Sequence, residues 1–207
     1  MTSVRTRCFL SMPAQRGSAL RHDTYMESLR GKLLIASPAI ADPNFRQTVV
    51  LLAEHTDEGA MGVILNREGA VTVGEAVPDL AHLADEDDVV YVGGPVSADS
   101  VTVLADFTAP DQAALLVDES IGFVPAGADD DEEIAAAVRR ARVFAGHAGW
   151  GPGQLESEMD EESWIVEDAR EEDVFTADPE ALWSSVLRRK GGEYAVIATM
   201  PADPSLN

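Results

Sequence analysis

Cysteine is almost missing from this chain: Cys8 stands alone among 207 residues. A single thiol excludes an internal disulfide framework and any CxxC metal or redox pair. It suits a reducing cytoplasm, where such proteins keep their thiols free. Lysine is nearly as scarce, with only Lys32 and Lys190, and the 15 basic residues face 37 acidic ones for a net charge of -22. So negative a chain repels nucleic acid and anionic membrane, because both are bound by neutralising phosphates with Lys and Arg. No direct nucleic-acid contact is therefore expected. Long apolar runs are also missing; stretches such as Val49 to Ala53 are short. A membrane-spanning helix needs about 20 predominantly apolar residues, so no membrane segment is expected.

What is present suits one domain with a sizeable core: the apolar content is 45%, ordinary for a globular protein. Residues 1–25 differ from the rest. Arg5, Arg7, Arg16 and Arg21 stand there against Asp23 alone, without the continuous apolar stretch of a secretory signal. They read as a disordered tail or an over-long start, with a domain over 26–207 opening at Met26. Strands are expected at Lys32–Ile35, Thr48–Ala53, Met61–Leu65, Val89–Val92, Val101–Leu104, Leu115–Val117, Ile121–Val124, Val143–Ala145, Trp164–Val166 and Tyr194–Ala198. Thr48–Ala53 is continuously apolar, as in a strand covered on both faces. Asn66-Arg67-Glu68-Gly69 reads as a turn. Helices are expected at Val73–Val77, from a cap in Asp129–Asp131 to about Arg140, and from Pro179 to Lys190, with Asp178 as N-cap and Gly191 past the end. Strands outnumber helices and do not alternate regularly with them, which predicts an α+β fold with a mixed or antiparallel sheet.

The densest concentration of special residues is GHAGWGPGQLESE, residues 146–158. A strand running into a Gly-rich turn and a helix start is a fit context for an anion. The G-x-G-x-x-G spacing fails, however, since its third glycine position falls on Gln154 or Glu156, and no GK[ST] follows. Glu156 and Glu158 would occupy the positive end of the helix dipole and repel phosphate. Two alternatives stay open. One is a rigid corner, in which Gly151-Pro152-Gly153 reverses the chain with Pro152 at the first helical position, and Trp150 is an anchor whose indole N–H needs a partner. The other is a pocket in which His147, Trp150, Gln154 and Glu156 supply a titratable ring, an apolar wall and polar groups, with Asp42, His55 and Asn66 as neighbours. No G-x-S-x-G elbow is present. His55, His82 and His147 show neither H-x-x-x-H nor H-E-x-x-H spacing, and no metal or cofactor is expected.

Four blocks together resemble the YqgE/AlgH family of bacterial proteins, from about Gly31 onward. They are LLIASPAIADPNFRQTVVLLAEHTDEGAMGVILNR, then VYVGGPV, then GHAGWGPGQLESEM with Trp164, and last the DVF…LW segment with its closing helix. The resemblance marks Gly93, Gly94, Pro95, Gly146, Gly149, Gly151, Pro152 and Gly153 as structural signature positions. It implies one α+β domain with a branched, pseudo-barrel sheet and flanking helices. It further implies a cytosolic bacterial protein with no established enzyme activity, described in the family as a regulator of transcription. The family usually carries tyrosine where this chain has His147, which argues against a catalytic role for that side chain. With no helix-turn-helix signature in the sequence, regulation is expected to run through a protein partner or a small ligand. The alternative is a small-molecule-binding protein or enzyme using a pocket beside Gly146–Glu158.

Overall fold

A computed structural model describes residues 28–127 and 131–201. The expected tail over 1–25 and the domain start at Met26 lie outside the described residues. The strands are β1 (Lys32–Ala36), β2 (Val49–Thr56), β3 (Gly59–Ile64), β4 (Glu68–Thr72), β5 (Val89–Val92), β6 (Val96–Phe107), β7 (Leu115–Leu116), β8 (Ile121–Phe123), β9 (Val138–Trp150) and β10 (Trp164–Asp168). The helices are α1 (Val73–Ala76), α2 (Glu132–Ala137), α3 (Gln154–Asp160), α4 (Glu171–Val174), α5 (Pro179–Lys190) and α6 (Tyr194–Ile197).

One sheet carries all ten strands in the order β10-β1-β2-β3-β9-β6-β8-β7, with β4 and β5 forming a side branch. All pairings are antiparallel except that of β5 with β9. The mixed α+β domain expected from the sequence is therefore observed, with a branched sheet that remains open: β10 and β7 end it without pairing to each other.

β2 explains why the sheet is covered on both sides. Val49, Leu51 and Ala53 point into the larger core with Leu182, Trp183, Val186 and Leu187 of α5. Val50 and Leu52 point the other way, into a second core with Trp150, Leu155 and Trp164. A period-two strand with no polar face must be sandwiched in this way. α5 is set by local chemistry: Asp178 Oδ1 accepts the Ala181 N–H at 3.0 Å, and Gly191 takes a φ of 77° past its end. Arg188, Arg189 and Lys190 in its last turn suit the negative end of the dipole.

β9 is the branch point. Along residues 138–147 one edge pairs with β6. The other edge pairs in parallel with β5 at Phe144 and Ala145, then antiparallel with β3 at Ala148 to Trp150. Gly93 makes the hand-over, donating its N–H to Ala145 O at 2.8 Å and accepting the Ile64 N–H at 2.9 Å. Backbone presses on backbone there. A Cβ on Gly94 (φ 152°) would lie 2.2 Å from the His147 carbonyl carbon, and one on Gly146 (φ 70°) would lie 2.5 Å from Gly94 O.

Several expected elements are corrected. Tyr194–Ala198 is not a strand; residues 194–197 form the short helix α6, because the chain leaving α5 through Gly191-Gly192 packs back on that helix, not on a sheet edge. The helix expected to run to Arg140 stops at Ala137, and Arg139 and Arg140 belong to β9, paired with β6. Asp131 does cap it, accepting the Glu133 and Ile134 N–H groups, while Asp129 lies outside the described residues. Glu68 and Gly69 open β4 and so extend beyond a turn. The strand expected at Val143–Ala145 is the middle of a strand of 13 residues.

Candidate functional site

The signature stretch is two structures in sequence. Gly146 to Trp150 is the end of β9, and Gln154 to Asp160 is α3. Gly153, with φ 73°, takes the N-cap position of α3 in the left-handed conformation. Pro152 therefore lies in the turn and is not the first helical residue. The reversal is held from inside, since Gln154 Oε1 accepts the Gly151 N–H at 3.1 Å and Gly151 O accepts the Gln154 N–H at 3.0 Å.

Strand parity sends Ala148 and Trp150 to one face of β9 and His147 and Gly149 to the other. Trp150 is buried against Trp164, with ring centroids 5.8 Å apart in an edge-to-face arrangement, and Phe45 packs edge-on to Trp164 at 5.8 Å. Both indoles need an acceptor, and Glu158 supplies it. Its Oε2 accepts Trp150 Nε1–H at 2.9 Å and Trp164 Nε1–H at 2.7 Å, and its Oε1 accepts Gln154 Nε2–H at 2.9 Å. One carboxylate thus ties the end of β9, the first turn of α3 and the start of β10 together.

His55 reaches the same corner from β2. Its Nδ1 accepts the Leu29 N–H at 3.0 Å and its Nε2 meets Glu156 Oε1 at 2.7 Å. Since Nδ1 is the acceptor, the ring carries its proton on Nε2 and donates it to Glu156. Burial is the largest single influence on the Glu156 pKa and raises it, but the hydrogen bond from His55, a backbone hydrogen bond and the attraction of the His55 ring together bring the net displacement downward. A general acid or base must present a proton or lone pair to a reactant. Both ring nitrogens of His55 are already occupied.

The other expected site residues lie elsewhere. Asn66 clips the start of β2, accepting the Val49 N–H and donating to Gln47 O, each at 2.9 Å. Asp42 is exposed and accepts the Asn44 N–H at 2.9 Å in a local turn. His147, on the opposite face of β9 from Trp150, lines a cleft of about 580 Å³ with Met61, Val101, Val103, Leu80 and Phe123. The structure therefore brings together His55 with Glu156 and Trp150 with Gln154, while Asp42, Asn66 and His147 stand apart from that corner. Gly93, Gly94 and Gly146 serve the branch point, and Pro95 leads into β6. Among the described residues no three His, Cys, Asp or Glu side chains are grouped as a metal ion would need.

Glu158 is the residue that sequence reasoning undervalued, being considered only as a repeller of phosphate. Part of the signal lies in the sequence: Gln154 and Glu158 are four apart on a helix, and a buried tryptophan in the same block requires an acceptor, but neither singles out Glu158 over Glu156.

Comparison with known proteins places this arrangement. A UPF0301 protein of Streptomyces coelicolor is 49% identical over 190 residues, covering 89% of this chain and 98% of its own length. One from Chlorobaculum tepidum is 39% identical over 186 residues, covering 86% and 95%. A crystal structure of a Corynebacterium diphtheriae protein superposes with a TM-score of 0.73 at 31% identity, covering 82% of this chain and 91% of its own. The solution structure of the AlgH protein from Pseudomonas aeruginosa gives 0.66 at 29% identity, covering 90% and 98%. The model of the AlgH-like family matches residues 33–195, and the chain belongs to that family.

Proposed function

We infer that this is a non-enzymatic regulatory or interaction protein of the bacterial cytoplasm, acting on transcription through a protein partner or a small ligand. One observation carries this reading: the polar side chains of the family signature corner are satisfied by one another. Glu158 holds three donors, and His55 spends both ring nitrogens on Leu29 and Glu156. A catalytic constellation would leave at least one such group facing a reactant. Direct duplex binding has no support in the charge of -22, given that such affinity rests on several cationic phosphate contacts. The test is affinity purification of the full chain from its source organism, run beside a metabolite panel read by NMR. A stable, stoichiometric partner or ligand is expected. Turnover of a defined metabolite with no partner recovered would overturn the reading.

A second reading, a small-molecule-binding protein, is favoured by the cleft at His147. About 580 Å³ of space walled mainly by apolar side chains is the size and character of a ligand pocket. It lies beside Gly146–Glu158 on the face of β9 opposite the corner, so either reading leaves the corner as a structural support.

A further inference from the structure

The acidic composition makes one place in the molecule conspicuous. Most described basic side chains outside the N-terminal region are matched. Arg139 is paired with Asp106, Arg140 with Glu171, Arg170 with Glu172, Arg189 with Asp173 and Lys190 with Glu167. Arg142 is spent on the Val174 and Thr176 carbonyls. Arg67 and Arg188 form no ion pair among the described residues, and they line the same cleft, of about 740 Å³. Arg46 stands beside Arg67, whose Nη2 donates to Arg46 O at 2.6 Å. Burial of Arg67, with the repulsion of the Arg46 guanidinium added to it, pushes the Arg67 pKa down.

Acids outnumber bases more than twofold in this chain, so two arginines without an ion pair in one cleft stand out. Among the described residues, Glu180 is the one acidic side chain lining this cleft. The neutral donors around it are already committed: Asn66 to Gln47 O, Gln47 to the Met200 and Pro201 carbonyls, Ser184 to Ala181 O and Thr199 to Val196 O. The Arg188 guanidinium, and the Arg67 donors other than the one given to Arg46 O, are the unspent donors. One of the three non-glycine residues with positive φ among the described residues also lies here. It is Gln47, with a φ of 53°, a strained conformation of the kind that clusters at binding sites.

We propose that the cleft between α5 and the Gln47 and Asn66–Arg67 turns binds a small phosphorylated molecule, with Arg67 and Arg188 gripping the phosphate. Arginine presents a planar fork of donors that matches phosphate oxygens two at a time. Two lining arginines and the adjacent Arg46, set against Glu180, leave two positive charges, which match a phosphate monoester dianion better than a carboxylate. The volume exceeds what inorganic phosphate fills and lies within the range of small-ligand sites, so an organic body accompanies the phosphate, with Trp183 and Met200 as its apolar wall. The cleft shares no residue with the signature corner or with the cleft at His147, so the proposal stands independently of the readings above.

The experiment uses the full chain and two probes, inorganic phosphate and phenyl phosphate, at pH 8 and constant ionic strength. A ligand that binds only the native state raises the unfolding midpoint saturably. Phenyl phosphate is expected to do so at lower concentration than inorganic phosphate. Arg188→Gln and Arg67→Gln are each expected to weaken the response at least tenfold, while Arg30→Gln, outside the cleft, leaves it intact. Arg188 is exposed, so its variant decides the matter should Arg67→Gln fail to fold. No saturable rise with either probe, an equal rise with acetate, or a response unchanged in Arg188→Gln would overturn the proposal.

Discussion

The Glu158 carboxylate concentrates more structural duty than any other polar group of the corner. Its two oxygens receive two indole N–H groups and one amide N–H, and both tryptophans are about 95% buried. Removing it leaves the indole donors without acceptors and out of reach of water. An orphaned buried donor costs about 1–3 kcal/mol, so Glu158→Ala is expected to destabilise by about 2–4 kcal/mol. Glu158→Gln should cost less, because one amide oxygen remains, but its NH₂ then opposes a donor. Urea unfolding followed by tryptophan fluorescence reads both variants. A loss below about 1 kcal/mol for Glu158→Ala would mean that solvent or a rotamer change replaces the carboxylate, and the corner would not be the closed network described. The tryptophan and glutamate types were legible in the sequence, as was the need of Trp150 for a partner. Which glutamate answers was not, because Trp164 joins the same oxygen from another strand, and only the fold sets that convergence.

At the scale of elements, the branch in the sheet depends on glycine. β5, β3 and β6 all meet β9 within a few residues of Gly146, and their backbones approach too closely for side chains. Gly94→Ala would set a Cβ 2.2 Å from the His147 carbonyl carbon, and neither backbone can yield without breaking the hand-over at Gly93. The expected cost is about 3 kcal/mol or more, with Gly146→Ala similar. Gly153→Ala is the control. Its φ of 73° is also left-handed, but nothing lies within 4 Å of the added Cβ, so only the conformational cost of about 1–2 kcal/mol applies. Thermal unfolding of the three variants should separate them in that order, and equal losses at Gly94 and Gly153 would refute the close-approach account. The same strand shows where sequence reading stops. The apolar runs of β1, β2 and β5 declare themselves locally, and α5 carries its caps in the chain. β9 does not, because Arg139 and Arg140 look like a helix end and its glycines look like a loop. Its extended form is fixed by three partners distant in sequence. α6 fails for the mirror reason: Tyr194 to Ile197 has strand-forming residues, and the turn after α5 makes them helical.

For the whole molecule the question is which electrostatic effect wins. Repulsion among surplus carboxylates opposes the compact state, with a net charge of -22. Ion pairs such as Lys32 with Asp168 and Arg170 with Glu172 favour it, but both are largely exposed, and such pairs contribute about 0–1 kcal/mol each. The best-built pair, Arg139 on Asp106, is less sensitive to salt. The hydrogen bonds from Arg139, with that of Ser120, hold the buried Asp106 carboxyl below its usual range despite burial. Salt therefore screens the long-range repulsion more than it weakens the pairs that matter. Raising sodium chloride from about 10 mM to about 200 mM shortens the screening length from about 30 Å to below 10 Å, and the unfolding midpoint is expected to rise by several degrees. A fall would show that exposed ion pairs outweigh net repulsion. Arg188→Gln separates screening from occupancy of the arginine cleft by chloride. If screening is the cause, the rise persists in the variant, and grows slightly because the surplus of negative charge is larger. If the rise disappears, a bound anion supplied the stability, and the whole-molecule explanation gives way to the local one.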